Sequence, residues 1–164
     1  MSSRGGCQQI GEANSNHSTA LTSANELART RALRSLRNGF DYIARFFKGS
    51  LQAVEERNPG VKGTFDHIDS RRFSAVLYKH GKAVSECSIR LEGMGRRSDG
   101  IAFSYDASAR QGSYNEMLHV ETNAQALFFR AMGMQMGGGA PDAQLSPEGA
   151  AEFLWDLLIS LLQE

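Results

Sequence analysis

Two cysteines are too few for a disulfide framework. Cys7 falls in a polar stretch and Cys87 in an apolar, alternating one, so the two are not read as partners, in keeping with a reducing compartment. Charge of one sign is also missing. Lys and Arg total 18 and Asp and Glu total 18, so whole-chain electrostatics favour no nucleic acid or membrane surface, and any such case must rest on local clustering. No apolar run approaches the roughly 18 residues of a membrane span. The N-terminus has no apolar export segment, so Gly6-Cys7 is not read as a lipidation or export signal, and a cytoplasmic protein without membrane contact is expected.

Chemical signatures are absent as well. Gly137-Gly138-Gly139 is followed by no Lys-Ser/Thr, and the stretch Gly93 to Gly100 lies between two strand-like segments. Neither has the strand-to-helix setting of a phosphate loop. No nucleophile elbow and no recognised metal-ligand spacing occurs, so no cofactor and no metal is expected.

What the chain does have is pattern. From Phe73 to Leu91, the odd positions Phe73, Ala75, Leu77, Ala83, Ser85, Cys87, Ile89 and Leu91 are small or apolar. The even positions include Ser74, Tyr78, Lys82, Glu86, Ser88 and Arg90. Period-two alternation predicts two strands with one core face and one wetter face. A two-residue turn at His80-Gly81 would mix those faces. A three-residue turn, Lys79-His80-Gly81, pairs Leu77 with Ala83 and Ala75 with Ser85, and places Gly81 where positive φ is needed. On this reading Cys87 is a core filler and not a nucleophile.

With 41% hydrophobic residues, 164 residues can hold one real core. Residues 1–22 are rich in Ser, Gly, Gln and Asn and read as a disordered polar tail, so the domain is expected over 23–164. Ser23 and Glu26 have capping-box form, predicting a helix from there to about Arg57, before Asn58-Pro59-Gly60. Leu33, Leu36, Phe40, Ile43, Ala44, Phe47, Leu51 and Val54 share one arc of it, while Arg31, Arg34, Arg37, Arg45 and Lys48 share another around Asp41. Gly39 costs that helix up to about 1 kcal/mol relative to Ala.

Val61 to Ser70 reads as a strand whose apolar residues, Val61, Phe65 and Ile68, do not keep one parity, so a late start or a bulge is expected. Further strands are expected at Ile101 to Tyr105, Asn115 to Thr122 and Leu127 to Met132. Ser146-Pro147-Glu148 is a strong helix start, with a cap, a first-turn proline and an acid at the positive end. The helix that follows is apolar over most of its girth, through Phe153, Leu154, Trp155, Leu157, Leu158, Leu161 and Leu162. It should therefore be buried on two sides or covered by a partner. The fold class is thus α+β: an antiparallel sheet of five to six strands, with a long N-terminal helix and a C-terminal helix on one face.

Three constellations bear on function. The basic stripe Arg31, Arg34, Arg37, Arg45 and Lys48 is a candidate contact for nucleic-acid phosphates, helped by Arg96 and Arg97 if they reach the same side. Its commoner meaning is a solvated helix face. His67 with Asp69, and His119 with Glu121, each lie two apart on a strand and share a face. They make an acid/base or ligand site if their strands are neighbours, and otherwise simply decorate a wet sheet face. Asn115-Glu116 is distinctive, with strand-edge hydrogen bonding as its plainest role.

Four stretches carry a family resemblance: Phe65-Asp66-His67-Ile68-Asp69-Ser70-Arg71-Arg72-Phe73, Lys79-His80-Gly81-Lys82, Asn115-Glu116-Met117-Leu118-His119-Val120-Glu121, and Gly149 through Trp155. From about Val61 onward the chain resembles an accessory domain of bacterial proteins that also carry a Toll/interleukin-receptor domain. The resemblance implies a part that senses, binds or assembles, and it transfers no active-site residue. This chain lacks the parallel α/β pattern of the receptor domain itself, so NAD cleavage is not carried over.

The reading that results is a non-enzymatic binding or regulatory module of a bacterial cytoplasmic system. It is expected to act through protein–protein contact or self-association, with the C-terminal helix as the contact. A small ligand-binding domain or enzyme using His67, Asp69, His119 and Glu121 is the alternative, and phosphate-backbone binding by the first helix the second.

Overall fold

The computed structural model describes residues 12–93, 99–123, 125–133 and 143–162, and side chains from residue 19 onward. A long helix α1 (Glu12–Arg57) leads into six strands. These are β1 (Val61–Asp69), β2 (Arg72–Lys79), β3 (Lys82–Glu92), β4 (Gly100–Ser104), β5 (Glu116–Thr122) and β6 (Leu127–Ala131). Helix α2 (Pro147–Ser160) follows. The strands form one antiparallel meander in the order β1-β2-β3-β4-β5-β6. The α+β architecture is therefore the one the patterns predicted.

The central hairpin keeps its predicted faces by a different route. Lys79 pairs with Lys82, so the turn has two residues, and His80 (φ 52°) and Gly81 (φ 80°) are both left-handed. That is the type I′ geometry favoured by right-twisted strands. The face-mixing that made this turn look excluded is removed by a bulge. Tyr78 pairs with Ala83 but Leu77 with Ser85, so Val84 is the extra residue. One inserted residue restores parity, and Phe73, Ala75, Leu77, Ser85, Cys87, Ile89 and Leu91 are all buried on one face. The expected pairs Leu77–Ala83 and Ala75–Ser85 are replaced by Leu77–Ser85 and Ala75–Cys87.

Helix α1 begins at Glu12 and not at Ser23, so residues 12–22, read above as tail, are helical. No proline or glycine interrupts 12–38, and an internal capping box does not start a helix that already runs through it. From Leu36 onward the predicted arc packs on the odd-residue face of the sheet, where Phe40 and Phe47 each sit 5.5 Å from the Phe73 ring.

Helix α2 opens on Ser146, whose hydroxyl accepts the Gly149 N–H at 3.1 Å. It lies on the same sheet face: Ser85 Oγ donates to Leu158 O at 2.6 Å, and Trp155 meets Phe47 edge-on at 5.3 Å. Ala150, Ala151, Leu154, Trp155, Leu157 and Leu158 are buried between α1 and the sheet. Much of the apolar girth of this helix is used inside the domain, while Phe153, Ile159 and Leu162 are half-buried and Leu161 is exposed.

The opposite sheet face is drier than expected. Ser74, Ser88, Arg90 and Ser104 are buried there because the segment from Tyr105 to Asn115 folds back over it. Arg90 anchors that segment. Its guanidinium donates to the carbonyls of Ala109 and Ser113 and pairs with Glu92 at 2.8 Å, and Glu92 also accepts the Gly112 N–H.

Candidate functional site

Simple meander order decides the fate of the acid/base constellation. His67 and Asp69 are on β1, His119 and Glu121 on β5, and β2, β3 and β4 lie between. At about 4.8 Å per strand the two groups are roughly 19 Å apart. They also divide between faces. His67 pairs with Phe73, on the helix-covered face, whereas Asp69 pairs with Arg72 on the other. The irregularity between them leaves Ile68 unpaired and exposed. It is the bulge that the broken parity of Val61, Phe65 and Ile68 implied, and it separates two residues that strict alternation would have kept together.

On β5, His119 Nδ1 donates to the Asp99 carbonyl at 3.2 Å. The Glu121 carboxylate pairs with Arg130 at 3.0 Å, and Arg130 lies over the Phe128 ring at 5.6 Å. Both side chains thus have partners within the fold. Asn115 and Glu116 do the strand-edge work expected of them. Asn115 Oδ1 accepts the Tyr105 N–H at 3.0 Å, and Glu116 Oε1 accepts the Met117 N–H at 2.9 Å.

Titration behaviour fits the same picture. Burial pushes the Cys87 thiol up to about 12, aided by the nearby Glu86 charge and opposed by a hydrogen bond with the Ala75 backbone, so it is no nucleophile. Burial also raises Tyr105, against a hydrogen bond with Ser160. Asp106 is lowered by the Ser108 hydroxyl and N–H that bind its carboxylate at 2.6 and 2.8 Å. Among the described residues no group of three or more His, Cys, Asp or Glu is placed to hold a metal ion.

The basic stripe meets another element at one end. Arg31, Arg34, Arg37, Arg45 and Lys48 are all exposed along α1. Arg45 and Lys48 overhang the edge strand β1, where with Asp41, Ala44, Phe65 and His67 they line a cleft of about 400 Å³. Phe65 is fixed by stacking on Phe73, with centroids 5.1 Å apart and planes 29° from parallel. The structure thus joins His67 to Arg45 and Lys48, a grouping that strand-by-strand reading missed. The signal available was the i, i+3, i+4, i+7 spacing of Asp41, Ala44, Arg45 and Lys48 on one helix face. Arg31 lies elsewhere, beside the turn joining β5 to β6. Arg96 and Arg97 fall outside the described residues.

Residues 62–160, from β1 through α2, match the family model of the Y4lF protein domain. The chain belongs to that family. A relative, the uncharacterised protein y4lF of Sinorhizobium fredii (strain NBRC 101917 / NGR234), is 43% identical over 124 residues. Those cover 76% of this chain and 38% of that protein. The aligned length exceeds 62–164, so the Y4lF likeness reaches back into α1. This chain spans well under half of the relative's length. No solved structure matches it. Among the described residues no helix is long and apolar enough to cross a membrane.

Proposed function

We propose that this Y4lF-family domain is a non-enzymatic binding module that self-associates through the outer half of α1. The observation that carries the reading is that every residue from 19 to 31 is helical and exposed, with Leu21 at 55% and Leu27 at 63% of full accessibility. A 46-residue helix is about 69 Å long, whereas six strands span only about 24 Å. Ala28 and Arg31 reach the turn joining β5 to β6, and residues 19–27 beyond them are exposed throughout. A helix standing free in water is marginal even with good propensity, so a packed face is its natural source of stability.

Ala20, Leu21, Ala24, Leu27 and Ala28 fall within an arc of about 120° on that half. Alanines at intervals of four flanked by leucines suit close approach of an identical helix. The resemblance to accessory domains of Toll/interleukin-receptor proteins belongs to this proposal and points the same way, to assembly beside a separate effector. The larger exposed apolar length lies on α1, which is why the contact is proposed there and not on α2, where Leu161 is the exposed apolar residue.

Size-exclusion chromatography with light scattering tests the reading. The full chain should run as a dimer at micromolar concentration, and Leu21→Glu with Leu27→Glu should make it monomeric while the thermal midpoint of the sheet domain holds. A monomer at all concentrations, or a dimer indifferent to both substitutions, would remove it.

A further inference from the structure

A second surface is independent of the first. The cleft between α1 and β1 brings Arg45, Lys48 and His67 round the partly exposed ring of Phe65. Arg45 Nε makes one long hydrogen bond, 3.4 Å, to the Asp41 carbonyl, and no ion pair joins Arg45 or Lys48 to the Asp41 carboxylate. Among the described residues neither Lys48 nor His67 has a hydrogen-bond or ionic partner. Arg45 and Lys48, and the imidazole of His67 beside them, are therefore not consumed in holding the fold. The floor is different in kind: Ala44 and Phe65 are apolar, and the stack on Phe73 prevents the Phe65 ring from turning away.

We propose that this cleft binds a small aromatic anion, with a planar ring on Phe65 and a phosphate or carboxylate between Arg45 and Lys48. An aromatic face supplies stacking to any planar ring. Guanidinium and ammonium groups supply charge-assisted hydrogen bonds to a compact anion. A cleft of about 400 Å³ lies at the small end of ligand sites, suited to a ring with one anionic group. Asp41 lines the same cleft and breaks the cationic run, which disfavours an extended phosphate chain. His67 faces the helix side from β1, where its ring adds a hydrogen-bond donor to the same anion.

The test is a titration of the full chain labelled with ¹⁵N, using adenosine 5′-monophosphate and 1-naphthoate as separate probes, with adenosine and inorganic phosphate as controls. One or both aromatic anions should shift the amides of Arg45, Lys48, Phe65 and His67 saturably. Adenosine and phosphate should bind at least about tenfold more weakly. Arg45→Gln with Lys48→Gln, both on the solvent side of α1, should weaken binding at least about tenfold without unfolding the domain. The probe that binds tells a nucleoside phosphate from an aryl carboxylate. No saturable shift with either at millimolar concentration, phosphate binding as well as the aromatic anions, or indifference to the double substitution would each overturn the proposal. Leu21→Glu with Leu27→Glu should leave this binding unchanged, which separates it from self-association.

Discussion

Gly39 sits mid-helix, where helix propensity alone says that alanine is better by up to about 1 kcal/mol. The structure reverses the sign. A Cβ on Gly39 would lie 2.3 Å from Phe129 Cζ, 3.0 Å from Cε2 and 3.2 Å from Cε1. Carbon atoms rest at about 3.5–4.0 Å, so helix and ring must part by more than 1 Å. The ring has little room to move. Phe129 is 1% exposed, and its backbone is bonded in both directions to Leu145 at 2.8 Å as well as paired with Val120. Overpacking of this kind costs about 1–3 kcal/mol. After the full propensity gain, Gly39→Ala should destabilise by up to about 2 kcal/mol, lowering the thermal midpoint by up to roughly 6 °C. Urea unfolding of a double-mutant cycle checks the cause. In a Phe129→Leu background the same alanine should be neutral or stabilising, because the obstructing ring edge is gone. A Gly39→Ala protein more stable than the parent, or an equal effect in both backgrounds, would refute the close helix–sheet approach.

Two further predictions follow from buried groups. Arg90→Met strands the Glu92 carboxylate and frees the segment from Tyr105 to Asn115, so it should cost about 3–5 kcal/mol in urea unfolding. Adding Glu92→Leu should recover much of that, and a mild single-mutant effect with no recovery would count against the anchor. Cys87 should resist a thiol reagent in the folded Cys7→Ser protein and react only on unfolding. Because its pKa rises from 9.0 to about 12 on folding, the folded state keeps a proton that the unfolded chain releases, so stability should fall as pH climbs from about 9 toward 12. That fall should be smaller in Cys87→Ala, where the raised Tyr105 still contributes; an identical pH profile in the two proteins would put the thiol in contact with solvent.

The legible part of this fold is the part written in local periodicity. Alternation through Phe73–Leu91 gave the right faces, Phe128-Phe129 the right strand, and Ser146-Pro147 the right helix start. The hairpin register was missed because a tight turn and a bulge at Val84 together leave the same parity as a longer turn. Parity cannot separate them. Burial of Ser74, Ser88 and Arg90 was missed because it depends on a segment about twenty residues further along folding back across the strands. Gly39 looked like a weakness because its partner, Phe129, is distant in the chain. The cleft at Phe65 was invisible for the same reason: its two walls come from α1 and β1, and pairing histidines with nearby acids led to the wrong neighbours.

The central claim is that the outer half of α1 pairs with its counterpart in a second copy. Its most direct test is the distance between nitroxide labels on a single cysteine, Asn25→Cys at the flank of the apolar arc in the Cys7→Ser, Cys87→Ala chain, measured by pulsed dipolar spectroscopy at micromolar protein. Packed helices lie about 8–10 Å apart, so a label pair within roughly 30 Å is predicted. Absence of any dipolar coupling at concentrations where the chain is folded would contradict it.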